Sequence, residues 1–186
     1  MKILAISGSL RRRSHNTALL SAAADLVPDG VEIELYDELE ALPPYNEDRD
    51  RELVAPVAAR LREAIASADA VLFATPEYNG TVPGQLKNAI DWASRPRGRG
   101  ALSEKPVAVI GASVSEHGAL WAQADLRKIL AIAGAHVLEA PAVVVGKAHE
   151  RIDADGAVIH AETRAQLQAT VAGLADHALL LVPAAA

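Results

Sequence analysis

The residues best suited to chemistry are Gly8-Ser9-Leu10-Arg11-Arg12-Arg13-Ser14-His15-Asn16-Thr17. They follow a short apolar run, Lys2–Ser7, and precede an Ala-rich stretch with helical spacing. Such a loop presents a helix N-terminus, whose free backbone N–H groups and positive dipole end attract anions. Gly8 permits a tight turn. Ser9, Ser14, Asn16 and Thr17 supply side-chain hydrogen-bonding groups, and Arg11 suits bidentate pairing with a phosphate. Arg12 and Arg13 are expected to face solvent. The spacing matches neither G-x-G-x-x-G nor G-x-x-x-x-G-K-[ST], which argues against a dinucleotide fingerprint and a P-loop. An ordinary Ser/Asn helix cap beside solvated arginines accounts for the same residues equally well.

Two more segments have unusual chemistry. Pro76-Glu77-Tyr78-Asn79-Gly80-Thr81-Val82-Pro83-Gly84 is stiffened by its prolines, and its glycines allow close backbone approach. It suits the edge of a flat heterocycle, with Tyr78 lining the ring; a rigid turn with a structural Tyr is the alternative. Glu77 has no partner carboxylate at a useful spacing for paired-acid hydrolysis. Gly111-Ala112-Ser113-Val114-Ser115-Glu116-His117-Gly118 combines small residues with a following helix, leaving room for a ring and amides to face it. A serine nucleophile there lacks the G-x-S-x-G elbow. The six histidines, at 15, 117, 136, 149, 160 and 177, fall in no metal-binding spacing. Arg95-Pro96-Arg97-Gly98-Arg99-Gly100 is a basic loop in an acidic chain, either solvated or a mobile lid that attracts nucleotide phosphates.

The elements that must position these loops are legible from periodicity. Lys2–Ser7, Ala70–Ala74 and Pro106–Gly111 are apolar throughout, as strands buried on both faces are. Val31–Tyr36 alternates with Glu, as a more exposed strand does. Val137–Val145 reads as a fifth strand interrupted by Pro141. Helices are expected over Asn16–Val27, Glu52–Ser67, Gln85–Ala93, Leu120–Ala133 and Glu162–Leu181. Asp37–Asp50 and Arg95–Gly100 read as loops, Asp155-Gly156 as a turn, and the tail from Pro183 as frayed. Alternating strands and helices over 186 residues make one α/β domain with a parallel sheet and helices on both faces. Five strands suit the flavodoxin-like order 2-1-3-4-5; the six-stranded dinucleotide fold is the alternative. Ligands in such sheets sit beyond the carboxyl ends of the strands, where the three loops above belong.

Composition narrows the function further. A net charge of −6 opposes non-specific nucleic-acid binding. With no cysteine, disulfides, thiolate nucleophiles and Cys-based metal sites are excluded. The first apolar run is too short for a signal segment, and no apolar stretch approaches the roughly 18 residues of a membrane span, so a soluble cytoplasmic protein without membrane insertion is expected.

Gly-Ser-Leu-Arg-x-x-Ser-x-Asn at Gly8–Asn16 resembles the phosphate loop of the NADPH-dependent FMN reductase family, which includes quinone, azo-dye and chromate reductases. Pro76-Glu77-Tyr78-Asn79-Gly80, followed by Pro83-Gly84-Gln85-Leu86-Lys87-Asn88-Ala89-Ile90-Asp91-Trp92, resembles its second signature. The resemblance spans nearly the whole chain. It implies FMN as cofactor and NAD(P)H as co-substrate. It places Ser9, Arg11, Ser14 and Asn16, with neighbouring Thr17, at the phosphate. Pro76, Glu77, Tyr78, Asn79 and Gly80 then border the isoalloxazine, and Ser113 touches the flavin. No protein group need act as catalytic acid or base, because the flavin carries the chemistry. A ping-pong cycle through flavin N5 would reduce a quinone, azo dye, flavin or metal oxyanion. Relatives are usually homodimers or homotetramers. The third loop departs from the family pattern at Val114-Ser115-Glu116-His117, where Glu116 and His117 become candidates for shaping the acceptor pocket. A flavodoxin-like electron carrier and a flavin redox-sensing module, with the acidic Asp37–Asp50 segment as docking surface, are the alternatives.

Overall fold

The structure is a computed structural model that describes residues 1–52, 55–139 and 142–181. In chain order the elements are β1 (Lys2–Ser7), α1 (His15–Ala24), β2 (Glu32–Tyr36), α2 (Glu47–Glu52), α3 (Pro56–Ser67), β3 (Ala70–Thr75), α4 (Gly84–Ala93), β4 (Pro106–Ala112), α5 (Leu120–Ile132), β5 (His136–Val137), β6 (Val143–Val145), α6 (Ala148–Arg151) and α7 (Ala161–Leu181). The sheet is parallel, ordered β2-β1-β3-β4-β5, with β6 also on β4. This is the flavodoxin-like α/β arrangement. Strand alternation divides the core in two. Leu4, Ile6, Val71, Phe73, Val107 and Val109 point to one face, packed under α3, α4 and α5. Ile3, Ala5, Leu72, Ala74, Ala108 and Ile110 point to the other, under α1 and α7. Residues one apart on a strand feed opposite layers, which is why the central strands are apolar on both faces until their carboxyl ends, where Ser7 and buried Thr75 stand.

The fifth strand position is broken. Pro106 pairs with His136, but Ile110 pairs with Val143, so three extra residues sit in the edge chain between the two pairings. Residues 140–141, with the proline expected to interrupt this strand, lie outside the described set. Arg127 of α5 bridges the break: its guanidinium donates to Leu138 O at 3.0 Å and Val109 O at 3.2 Å. It supplies donors to carbonyls where the ladder is interrupted.

The acidic segment 37–50 is more structured than a loop. It holds a 3₁₀ turn at Leu39–Ala41 and the start of α2, and it buries Leu39 and Leu42. Side chains of α4 tie it down: Gln85 Nε2 donates to Leu39 O and Leu42 O, and Asn88 Nδ2 and Trp92 Nε1 both donate to Pro43 O. The next helix begins at Pro56, where proline's missing N–H costs nothing, and not at Glu52. Leu53, within the expected helix Glu52–Ser67, lies outside the described residues, as does the tail from Val182. No helix among the described residues is long and apolar enough to cross a membrane.

Candidate functional site

Because β1, β3 and β4 are adjacent and parallel, the loops that leave them emerge together at the carboxyl end of the sheet. The first loop is held by a web of hydroxyls. Thr17 Oγ1 donates to Ser7 Oγ at 2.9 Å, and Gly8 N donates to Ala74 O at 2.8 Å. Ser9 N approaches Ser7 Oγ at 3.4 Å, and Arg11 N approaches Ser9 Oγ at 3.5 Å. Ser14 caps α1: its Oγ accepts from Asn16 N and Thr17 N at 3.2 and 3.3 Å. Those two amides, expected to be free for an anion, already have an acceptor. Ser14 is thus the helix cap that the sequence allowed.

Asn16 differs most from expectation. It is 3% exposed, and its amide exchanges two hydrogen bonds with the backbone of Ala112, Nδ2 to O at 3.0 Å and N to Oδ1 at 2.9 Å. This ties the start of α1 to the end of β4 and leaves one Nδ2 hydrogen. Arg11, Arg12 and Arg13 are exposed and line a cleft of about 390 Å³ with Ser14, His15, Thr17 and the turn at 152–156. Arg12 and Arg13 are exposed, as expected, and stand at a cleft whose three arginines outnumber Asp153 and Asp155 across it. Within it, burial first, then Arg11 and then His149, hold the His15 imidazole below its ordinary 6.5.

The second loop is a hairpin. Tyr78 and Thr81 exchange backbone hydrogen bonds at 3.1 and 3.2 Å, with Asn79 (φ 53°) and Gly80 (φ 76°) at the tip. Two successive left-handed residues make the type I′ turn that Asn-Gly favours. The Asn-Gly dipeptide is the local signal for this turn within the rigid segment. Glu77 does not face open space: its Oε2 accepts from Trp121 N at 3.0 Å and Ala122 N at 3.1 Å. It caps α5 from another loop, where the local cap position is Ala119, which has no side-chain acceptor. Thr81 Oγ1 donates to Asp125 Oδ2 at 2.7 Å, a second bond between hairpin and helix.

The third loop is bound to the segment after β6. Ser113 N donates to Val145 O at 3.0 Å, Ala148 N donates to Ser113 O at 3.0 Å, and Lys147 N donates to Ser115 O at 2.9 Å. Ser113 Oγ accepts from Ser115 N at 3.2 Å. Gly146 lies so close that a Cβ there would stand 2.3 Å from Glu116 O. His117 stacks on Trp121 with centroids 5.6 Å apart, so the imidazole addresses an indole and not a serine.

The first and second loops share a cleft of about 290 Å³, lined by Gly8, Leu10, Arg11, Tyr78, Pro83, Gly84 and Gln85. Its neighbour is the cationic cleft, and Arg11 lines both. A half-apolar slot beside a cationic pocket fits a flat ring joined to a phosphate. The basic loop Arg95–Gly100 is elsewhere, so the lid expectation is corrected. The helix α4 carries the chain about 15 Å away from Gly84. Arg95 and Arg97 line a separate cleft of about 530 Å³ with Glu104 and Gly134, next to the start of β4 at the amino end of the sheet. Among the described residues no group of three His, Asp or Glu side chains is placed to hold a metal.

The comparisons agree with this geometry. The model of the NADPH-dependent FMN reductase family matches residues 1–150. An NAD(P)H-dependent FMN reductase of Pseudomonas aeruginosa is 46% identical over 168 residues, covering 90% of each chain. A 2-hydroxy-1,4-benzoquinone reductase of a Burkholderia species is 40% identical over 168 residues, covering 90% of this chain and 91% of the relative. Among solved structures, the flavoenzyme NAD(P)H:(acceptor) oxidoreductase FerB of Paracoccus denitrificans superposes with a TM-score of 0.86 at 37% identity, over 96% of this chain and 97% of that one. Family match, sequence relatives and fold coincide over most of the chain: it belongs to the NADPH-dependent FMN reductase family and is an FMN-dependent NAD(P)H oxidoreductase.

Proposed function

We propose that this oxidoreductase passes electrons from NAD(P)H to quinone-type acceptors, with FMN held across the three loops at the carboxyl end of the sheet. The observation that carries the assignment of the site is the pair of clefts joined at Arg11. Arg11 pairs with the phosphate, assisted by the hydroxyls of Ser9 and Ser14, while Thr17, whose hydroxyl donates to Ser7, steadies the loop beside it. Asn16 contributes chiefly by holding the loop to Ala112, with its remaining Nδ2 hydrogen directed to the ligand. Pro76, Glu77, Tyr78, Asn79 and Gly80 border the ring, and the bonds from Glu77 and Thr81 to α5 keep that border rigid. Ser113 closes the third side. Held by these residues, FMN would supply the two-electron hydride chemistry that links NAD(P)H to the acceptor. The chain's own part is to orient the partners and to neutralise the phosphate charge.

The quinone assignment draws on relatives named as quinone reductases, including the Burkholderia enzyme. The working unit is a homodimer or homotetramer in the cytoplasm. Exposed apolar Leu120 and Ile132, on the first and last turns of α5, support association. The test is direct. The purified protein should be yellow, release its chromophore on heating, and oxidise NADPH when a quinone is supplied. Arg11→Ala should raise the Kd for FMN by about tenfold or more, the usual scale for a lost charge-assisted pair. A colourless protein that neither binds added FMN nor oxidises NAD(P)H would overturn the assignment.

A further inference from the structure

Trp121 is 57% exposed at the first turn of α5, although burying an indole is strongly favourable. The side chain is also unusually well positioned. Its own backbone N–H is held by Glu77, and the built Cβ of Gly80 lies 3.7 Å from its Cε3, so the ring stands beside the hairpin tip. On another side His117 stacks against it at an interplanar angle of 24°. The hairpin itself is tied to the helix by Thr81 and Asp125. Gly80 and His117 thus flank an aromatic surface that remains in water, on a helix start fixed to the loop proposed to border the flavin. Tyr78, in the same hairpin, is 48% exposed.

We infer that the Trp121 indole, backed by His117, is the stacking surface that selects planar quinones as acceptors. This rests on the quinone assignment above and names the residue that confers it. A flat, electron-poor quinone ring is matched by an electron-rich indole face, and the geometry is set before the ligand arrives. Little ordering entropy therefore remains to be lost on binding. FMN does not need this surface, because the phosphate and ring contacts proposed for it lie on the three loops. Trp121 is a specificity residue and takes no part in electron transfer.

The chain has only two tryptophans, and Trp92 is fully buried with its Nε1 bonded to Pro43 O. Trp121 is therefore the fluorophore within reach of a bound quinone. The FMN-loaded oxidised protein should be titrated with 1,4-naphthoquinone in the absence of NADPH, following indole emission. Saturable quenching is expected in the wild type, and its loss in Trp121→Phe, where only buried Trp92 emits. In steady state with NADPH, Trp121→Ala should raise the KM for 1,4-naphthoquinone roughly tenfold, with kcat changed much less. Its ratio of kcat/KM for naphthoquinone to that for ferricyanide, which has no ring to stack, should fall by about the same factor. Trp121→Phe should recover most of that ratio.

An unchanged ratio in Trp121→Ala overturns the inference while leaving the enzyme a quinone reductase. So does a shift to a smaller oligomer on size exclusion with a wild-type naphthoquinone KM, which would make the indole a subunit contact. A wild-type protein that reduces ferricyanide but not naphthoquinone removes the quinone assignment itself, and this inference with it.

Discussion

The side-chain amide of Asn16 and the backbone of Ala112, ninety-six residues away, exchange two hydrogen bonds of 3.0 and 2.9 Å. Through them the first loop takes its position from the third strand of the core. Asn16→Ala leaves a buried N–H and C=O unpaired, at a cost of about 1–3 kcal/mol for such a group. The thermal midpoint should fall accordingly, and the Kd for FMN should rise by roughly tenfold. Asn16→Asp still accepts from Ala112 N but sets a carboxylate against Ala112 O and beside the phosphate, so its FMN affinity should fall at least as far. Equal FMN affinity in all three proteins would show that the first loop holds its shape without this bond.

Glu77 serves α5 as a cap from a distance. Glu77→Ala removes the acceptor for Trp121 N and Ala122 N and should cost about 1 kcal/mol, typical of a lost helix cap. Glu77→Gln keeps an oxygen there and should lose only the charge–dipole part, about 0.3–1 kcal/mol. Urea unfolding of the FMN-free protein separates the two. The ranking wild type, Gln, Ala is expected, and an Ala variant as stable as the Gln variant would contradict the capping role.

Arg127 tests the broken fifth strand. Burial holds its guanidinium below the usual arginine range, and its donors go to Leu138 O and Val109 O. Arg127→Ala should destabilise by about 2–3 kcal/mol, since hydrogen bonds from a charged group are lost together with packing. FMN affinity should stay within about twofold, because the break lies along the flank of β4, away from the three loops. A comparable loss of flavin binding would show that the break and the loops are coupled.

Acidity should act through His15. Its pKa is lowered in the fold, so the unfolded chain takes up the proton first as pH falls below about 6.5. This residue contributes nothing above that range, and stability declines as pH drops from 6.5 toward the folded value. A bound phosphate reverses the balance by favouring the imidazolium. The gap between FMN-loaded and FMN-free melting temperatures should therefore widen between pH 7.5 and 6.5, and His15→Gln should flatten that trend. A gap independent of pH in the wild type would place the phosphate away from His15.

Gly146 marks the closest approach in the third loop. Gly146→Ala places a methyl group 2.3 Å from Glu116 O, well inside contact distance. The loop must shift, so FMN retention should weaken while the far end of the sheet, including the Glu104–His136 pair, is undisturbed. Hydrogen exchange confined to residues 113–118 and 145–148 would confirm a local effect.

Much of this architecture was legible in sequence because it follows from local rules. The apolar runs of β1, β3 and β4 have no other comfortable home than a sheet covered on both sides, and their order sets the site end. The misses were of two kinds. Asn16 to Ala112 and Glu77 to α5 depend on partners brought near only by the finished fold, so no local pattern announces them. The basic loop at Arg95 was misplaced for a different reason. A segment that follows a helix and precedes a parallel strand must lie at the amino end of the sheet, and element order alone carried that information. The Asn79-Gly80 turn was likewise present in the residues.

The interruption between β5 and β6 also bears on how the protein behaves in a crowded solution. An open sheet ends in strands whose unpaired backbone groups can recruit a neighbour's strand, the first step toward fibrous aggregates. Here one border is cut into pieces of two and three residues that are out of phase by three positions, and the other carries Glu32 and Glu34 on β2. A foreign strand could match the first border for only two or three residues, and on the second it would meet those two carboxylates. The irregularity that makes the fifth strand hard to recognise thus keeps each copy of the sheet closed to the next.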